Sequence, residues 1–171
     1  MTATEISLTV NGRSHKRSVE PRMLLADFLR HELRFTGTHV ACAHGVCGAC
    51  TIDFNGTTAR SCLLLAIQAD GATIITVEGL AGDGPMTAVQ HAFREHHALQ
   101  CGFCTPGFLM TATELLRSNQ APTESEIKDA IGGNLCRCTG YINIVKAVQG
   151  AAASLAEGKS SARRPMVEDE R

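Results

Sequence analysis

Eight cysteines fall into two groups of four: Cys42, Cys47, Cys50 and Cys62, then Cys101, Cys104, Cys136 and Cys138. The first three, spaced C-x4-C-x2-C, match the plant-type iron–sulfur pattern, a loop that wraps three thiolates round one side of a two-iron, two-sulfide cluster. The fourth ligand must come from elsewhere, and Cys62 follows across an Asn55-Gly56 turn. Gly45, Gly48 and Ala49 are small enough for backbone N–H groups to approach the sulfurs. A zinc ion on four thiolates is the competing reading. Zinc knuckles usually offer two short C-x2–4-C pairs, whereas three thiols here share one glycine-rich arc. The second group, C-x2-C and a distant C-x-C, is less specific, and zinc remains open for it. A thioredoxin-like redox pair does not fit, since no βαβ pattern surrounds Cys101 and Cys104.

Other polar side chains in these loops have plainer readings. His39 and His44 invite a Rieske-type arrangement, but four cysteines already supply that site. His96-His97 reads as a helix end, where histidine suits the terminal carbonyls. Leu63-Leu64-Leu65 is core or a patch facing a partner. Arg137, between two thiols, is either a counter-charge or an ordinary exposed arginine.

The elements that position the first quartet read as strands. Ile6, Leu8 and Val10 alternate with polar partners, Asn11-Gly12 is a two-residue hairpin signal, and His15, Arg17 and Val19 return. Pro21 opens a helix carrying Leu24, Leu25, Phe28 and Leu29 at helical spacing. Cys50, Ile52 and Phe54 alternate again, residues 57–62 return after Asn55-Gly56, and residues 73–77 supply a last β-branched strand. The second quartet is carried by helices. Residues 86–97 are helical by content, a stripe of Phe108, Leu109, Ala112, Leu115 and Leu116 follows Pro106, and Thr123-x-x-Glu126 is a capping box opening a helix through Ile131. Ile142, Val145 and Val148 mark a fourth helix toward Leu155. A helix N-terminus after Cys101 and Cys104 favours their thiolates.

Composition narrows the classes. The 171 residues are 44% hydrophobic with six Phe, one Tyr and no Trp, enough for an aliphatic core without disulfide staples. Sixteen Lys+Arg against 17 Asp+Glu leave a net charge of -1, which gives no footprint for nucleic acid or an anionic membrane. The longest apolar run, residues 62–67, is far short of the roughly 18 residues of a spanning helix. The first residues carry no export signal, so a cytoplasmic location is expected.

Three stretches then carry a resemblance: Gly37-Thr-His-Val-Ala-Cys-Ala-His-Gly-Val-Cys-Gly-Ala-Cys50, Gln100-Cys-Gly-Phe-Cys-Thr-Pro-Gly107 and Gly133-Asn-Leu-Cys-Arg-Cys-Thr-Gly-Tyr141. They resemble the small iron–sulfur subunit of molybdenum hydroxylases, the xanthine dehydrogenase / aerobic carbon monoxide dehydrogenase family, over residues 4–156. The resemblance implies an α+β chain: a plant-type ferredoxin-like β-grasp domain at 4–79, a linker at 80–85, and an all-α four-helix-bundle domain at 86–157. Residues 158–171 read as a disordered or partner-bound tail. Each domain would hold one 2Fe–2S cluster, the first on Cys42, Cys47, Cys50 and Cys62, the second on Cys101, Cys104, Cys136 and Cys138.

The resemblance also implies partners. A large subunit would bind molybdopterin and hydroxylate the substrate, a medium subunit would bind FAD, and the assembly would be a dimer of heterotrimers. Gln100 and Cys138 would contact the pterin. Electrons would pass from molybdenum to the second cluster, then the first, then FAD. The form of the first motif favours an aromatic N-heterocycle as substrate, with carbon monoxide, a purine or an aldehyde as alternatives. A stand-alone ferredoxin-like carrier or a zinc-stabilised interaction module are the competing classes. One departure stands out: the family usually has glycine where this chain has Ala41, which costs about 1 kcal/mol if the position needs positive φ.

Overall fold

The structure is a computed structural model that describes residues 3–158. The polar tail expected at 158–171 lies outside those residues apart from Gly158. Strands β1 (Thr4–Val10) and β2 (Arg13–Val19) form the expected antiparallel hairpin, Val10 pairing with Arg13. Asn11 and Gly12 both adopt left-handed φ, +52° and +77°, as a two-residue turn of this kind requires. Strands β3 (Thr51–Phe54) and β4 (Thr57–Arg60) repeat the device, with Asn55 and Gly56 at φ +52° and +93°. Strand β5 (Thr73–Ile75) then pairs parallel to β1 and antiparallel to β3, giving one mixed sheet of order β2-β1-β5-β3-β4.

Alternation puts Ile6, Leu8, Val10, Val19, Ile52 and Ile74 on one buried face. A short helix, α1 (Leu25–Asp27), covers that face and widens into a π-turn over Phe28–Glu32, where the Leu33 amide donates to the Phe28 carbonyl at 3.1 Å. Leu25, Phe28 and Leu29 are fully buried beneath it, each stabilising the fold by about 1.5–3 kcal/mol. The helix starts later than Pro21. Residues 20–23 close a turn, Leu24 is held in a β-bridge to Leu65, and the Leu25 amide donates to the Leu64 carbonyl at 2.8 Å. That long-range pairing takes the backbone that the proline would have offered to a first helical turn. Strands β4 and β5 are also shorter than expected, because the chain turns into 3-10 geometry at Ser61–Leu63 and Val77–Gly79.

Four helices follow: α2 (Ala88–Glu95), α3 (Thr105–Ser118), α4 (Glu124–Ile131) and α5 (Ile142–Ala156). Capping boxes Thr87/Gln90 and Thr123/Glu126 open α2 and α4, and Pro106 sits in the first turn of α3, where its missing N–H costs nothing. Their second core gathers Phe93, Phe108, Ile127, Ile144 and Val148. Val77 and Leu80 already pack against this helical core, so the second half draws in residues before 86. Among the described residues, no helix is long and apolar enough to cross a membrane.

Candidate metal centres

The first quartet is built by an irregular loop, pinned at its root by Arg30, whose guanidinium donates to the Thr36 and Thr38 carbonyls at 2.6 and 2.8 Å. Within the loop Ala43, Gly45 and Gly48 adopt φ of +55°, +85° and +73°. The amides of His44, Cys47 and Val46 are thereby turned onto Cys42, and together with the Cys47 thiol they bring its thiol down to about 6. Ala41 lies outside the left-handed region; the non-glycine residue that bears the strain is Ala43. Cys62 reaches the loop from the 3-10 turn after β4. Burial, then its contact with the Cys50 thiol, pushes it up to about 11, against one stabilising amide from Gly45.

The second quartet sits where α3 begins and where the α4–α5 connection returns. Cys104 caps α3. Its thiol is nevertheless pushed up to about 12 by burial and by Cys136, so the helix-end amide, though it acts in the expected direction, does not win. Burial also opposes charge on Cys136, but the Thr139 hydroxyl and amide and the Cys138 amide outweigh it and lower its pKa. Cys138 and Cys101 lie with their sulfurs 3.6 Å apart.

The sulfurs are divided two and two. The Cys47 thiol acts on Cys42, the Cys50 thiol on Cys62 and the Cys136 thiol on Cys104, and Cys138 Sγ lies 3.6 Å from Cys101 Sγ. Each quartet thus has an inner pair and an outer one. Cys50 and Cys62 are buried beneath half-buried Cys42 and Cys47, while half-buried Cys104 and Cys136 lie beneath exposed Cys101 and Cys138. Two thiolates on one tetrahedral metal at about 2.3 Å lie about 3.8 Å apart, close to the Cys101–Cys138 separation. The pairwise division fits a two-iron rhomb, which takes two thiolates at each iron.

Neither histidine of the first loop joins the thiols. The His39 Nδ1–H donates to the Phe103 carbonyl at 2.7 Å, with its ring stacked on Phe103, and His44 Nδ1 bonds the Cys42 carbonyl. Gln100 and Arg137 are both exposed beside the outer pair of the second quartet. His96 ends α2, as expected, and of the leucine run Leu63 is 59% exposed, against the first loop at Gly45.

Sequence reasoning missed the residues that join the two centres. The Leu135 amide donates to the Cys47 carbonyl at 2.9 Å, and Asn134 Nδ2 donates to the Gly48 carbonyl at 3.1 Å. Thr111 Oγ1 donates in turn to Asn134 Oδ1, leaving this buried amide satisfied on both sides. Arg60 reaches the Gly133 carbonyl at 2.7 Å. Asn134 and Gly133 stand in the motif beside Cys136, so their position was visible although their partners were not.

Comparison with known proteins agrees with this geometry. Residues 8–73 match the family described as a 2Fe-2S iron-sulfur cluster binding domain, and residues 76–149 match the [2Fe-2S] binding domain. The chain is 56% identical to the caffeine dehydrogenase subunit gamma of Pseudomonas sp. (strain CBB1), covering 94% of this chain and 98% of that one. It is 55% identical to the nicotine 6-hydroxylase small subunit of Paenarthrobacter nicotinovorans, over 88% and 91% of the two chains. A chain of quinoline 2-oxidoreductase from Pseudomonas putida 86 superposes with a TM-score of 0.88 at 49% identity, over 92% of this chain and 99% of that one. With both thiol quartets in place, the chain belongs to the iron–sulfur small subunits of the molybdenum-dependent hydroxylases of the xanthine dehydrogenase family, and carries that family's two 2Fe–2S-binding domains.

Proposed function

We propose that this chain is the electron-transfer subunit of a cytoplasmic heterotrimeric molybdenum hydroxylase, assembled as a dimer of heterotrimers. When bound, its two 2Fe–2S clusters supply one-electron carriers in series between a molybdopterin centre in a large subunit and FAD in a medium subunit. Cys42, Cys47, Cys50 and Cys62 hold the first cluster on a β-grasp domain at 4–79. Cys101, Cys104, Cys136 and Cys138 hold the second on a four-helix bundle at 86–157. Gln100 and Cys138, both exposed, face the pterin. The substrate is an aromatic N-heterocycle: the relatives named above act on caffeine, nicotine and quinoline, all of this class.

The observation that carries this reading is the bridge between the quartets. Cys47 accepts from the amide of Leu135, which is covalently joined to Cys136. A ligand of one centre is therefore linked to a ligand of the other through a single hydrogen bond and a short run of backbone. This chain's residues hold that link rigid: Asn134 and Arg60 fasten its two strands, so little rearranges when charge moves. A free carrier has no need of such a coupling.

The purified complex should hold about four irons and four sulfides per small subunit and show two reduced-state signals in electron paramagnetic resonance. Cys62→Ser should remove or distort one signal and spare the other, and Cys136→Ser should do the reverse. A complex that holds zinc at either quartet, or that keeps full turnover with FAD-linked acceptors after both substitutions, would overturn the reading.

A further inference from the structure

One side-chain hydroxyl bonds a ligand sulfur. Thr139 Oγ1 lies 3.1 Å from Cys136 Sγ, and the Thr139 amide lies 3.4 Å from the same sulfur. The direction of the hydroxyl bond is set by its surroundings. Thr139 Oγ1 also accepts from the Tyr141 amide at 3.3 Å, which occupies a lone pair and leaves the O–H to point at sulfur. Tyr141 is itself held: its hydroxyl accepts from the Cys136 amide at 2.9 Å, and its ring meets the fully buried Phe108 edge-on at 6.1 Å. Cys136, Thr139 and Tyr141 thus close a small ring of hydrogen bonds about one thiol. The tight turn that makes it possible puts Gly140 and Tyr141 at left-handed φ, +64° and +68°.

The first quartet is served differently. There the donors to Cys42 and Cys62, other than neighbouring thiols, are backbone amides. Among the described residues, Thr139 is the one hydroxyl that donates to a ligand sulfur, so it is the donor a point substitution can remove.

We propose that Thr139 is a positioning residue that raises the reduction potential of the second cluster by donating its hydroxyl to the Cys136 thiolate. The proposal rests on the assignment of Cys136 as a ligand made under Proposed function. Reduction adds one electron, and its negative charge spreads onto the sulfurs. A donor on sulfur stabilises that charge more than it stabilises the oxidised state, so the reduced form gains. Nothing is consumed in this: one electron enters, and the hydroxyl proton stays on oxygen.

The test is a redox titration of the whole complex, followed by the second cluster's paramagnetic signal. In Thr139→Val, at the potential where half the unaltered second cluster is reduced, the ratio of reduced to oxidised cluster should fall about tenfold, a 59 mV shift for one electron. Thr139→Ser, which keeps the hydroxyl, should restore the midpoint, and the first cluster's midpoint should stay where it is in both. An intact second signal with an unmoved midpoint in Thr139→Val would overturn the proposal. If the valine variant loses its second cluster, Thr139→Ala takes its place. Loss of that cluster in both, with Thr139→Ser loaded, would show that the hydroxyl holds the ligand and does not tune it, which also overturns the proposal. The ligand assignment fails separately: Cys136→Ser with both signals and all irons intact would remove it whatever Thr139 does.

Discussion

A Cβ placed on Gly107 would lie 2.2 Å from the carbonyl oxygen of Gly48. Gly107 belongs to the first turn of α3, just beyond Cys104, and Gly48 follows Cys47, so the two halves meet backbone to backbone between the thiol quartets. The same Cβ would sit 2.9 Å from Asn134 Nδ2, the group that bonds the Gly48 carbonyl. Neither neighbour is the loose end of a flexible chain.

Gly107→Ala should therefore destabilise the iron-loaded protein by about 1–3 kcal/mol, although alanine in a helix ordinarily gains about 1 kcal/mol over glycine. Denaturant unfolding measures the loss. The halves must part to admit the methyl group, so the magnetic interaction between the two reduced clusters should weaken as well. An alanine variant as stable as the parent, with that interaction unaltered, would contradict the contact.

The sheet half and the helical half also share an ion pair. Arg117 Nη1 donates to Asp53 Oδ2 at 2.8 Å, the carboxylate being only 8% exposed, and Arg117 Nη2 donates to the Gly56 carbonyl. Asp53 Oδ1 accepts from the Gly56 amide, so losing the arginine leaves a buried carboxylate half satisfied. Arg117→Met should cost about 1.5–3 kcal/mol. The Asp53→Ala/Arg117→Met double variant should cost less than the sum of the single changes, since no orphaned charge remains. Equality of the two in a thermodynamic cycle would show that the pair contributes nothing.

Local signals in the chain were readable and distant ones were not, and the loop cysteines show both. Each Asn-Gly pair demands left-handed φ at two positions, so both hairpins could be placed from two residues. The thiol spacings named the chemistry because a cluster needs several sulfurs on one short arc. By contrast, Arg117 and Asp53 lie 64 residues apart, and Asn134 and Gly48 lie 86 apart. No periodicity links such pairs; only the folded chain brings them together. The late start of α1 has the same origin, a bridge from Leu24 to Leu65 that overrides the local preference of Pro21. Ala41, strained only if its backbone were left-handed, is not, and Ala43 two positions on is; the backbone angle of an alanine leaves no mark in composition.

That correction carries its own expectation. Ala43 adopts φ +55°, a conformation that costs an L-residue roughly 1–2 kcal/mol. Ala43→Gly relieves this and gives back part of the gain as unfolded-state entropy, so a net stabilisation of about 0.5–1 kcal/mol is expected. Ala41→Gly has no strain to relieve and should cost about 0.5–1 kcal/mol. Thermal unfolding of the two loaded variants should move in opposite directions; movement in the same direction would place the strain elsewhere.

His39 provides a test that separates a scaffold role from a ligand role. Its ring stacks on Phe103 with centroids 4.7 Å apart and planes 21° from parallel, and its Nδ1–H donates to the Phe103 carbonyl at 2.7 Å. Phe103 stands between Cys101 and Cys104, so a residue of the first loop clamps the turn that presents two thiols of the second quartet. The stack contributes about 0.5–1.5 kcal/mol and the hydrogen bond about 1 kcal/mol. Losing about 1.5–2.5 kcal/mol of local closure changes an opening equilibrium by a factor of about 10–60. His39→Ala should therefore speed iron release from the second centre to a chelator within about that range. His39→Phe, which keeps a ring on Phe103, should fall between. The first cluster's paramagnetic signal should be untouched in both variants, whereas a histidine bound to iron would alter that signal as soon as it was replaced.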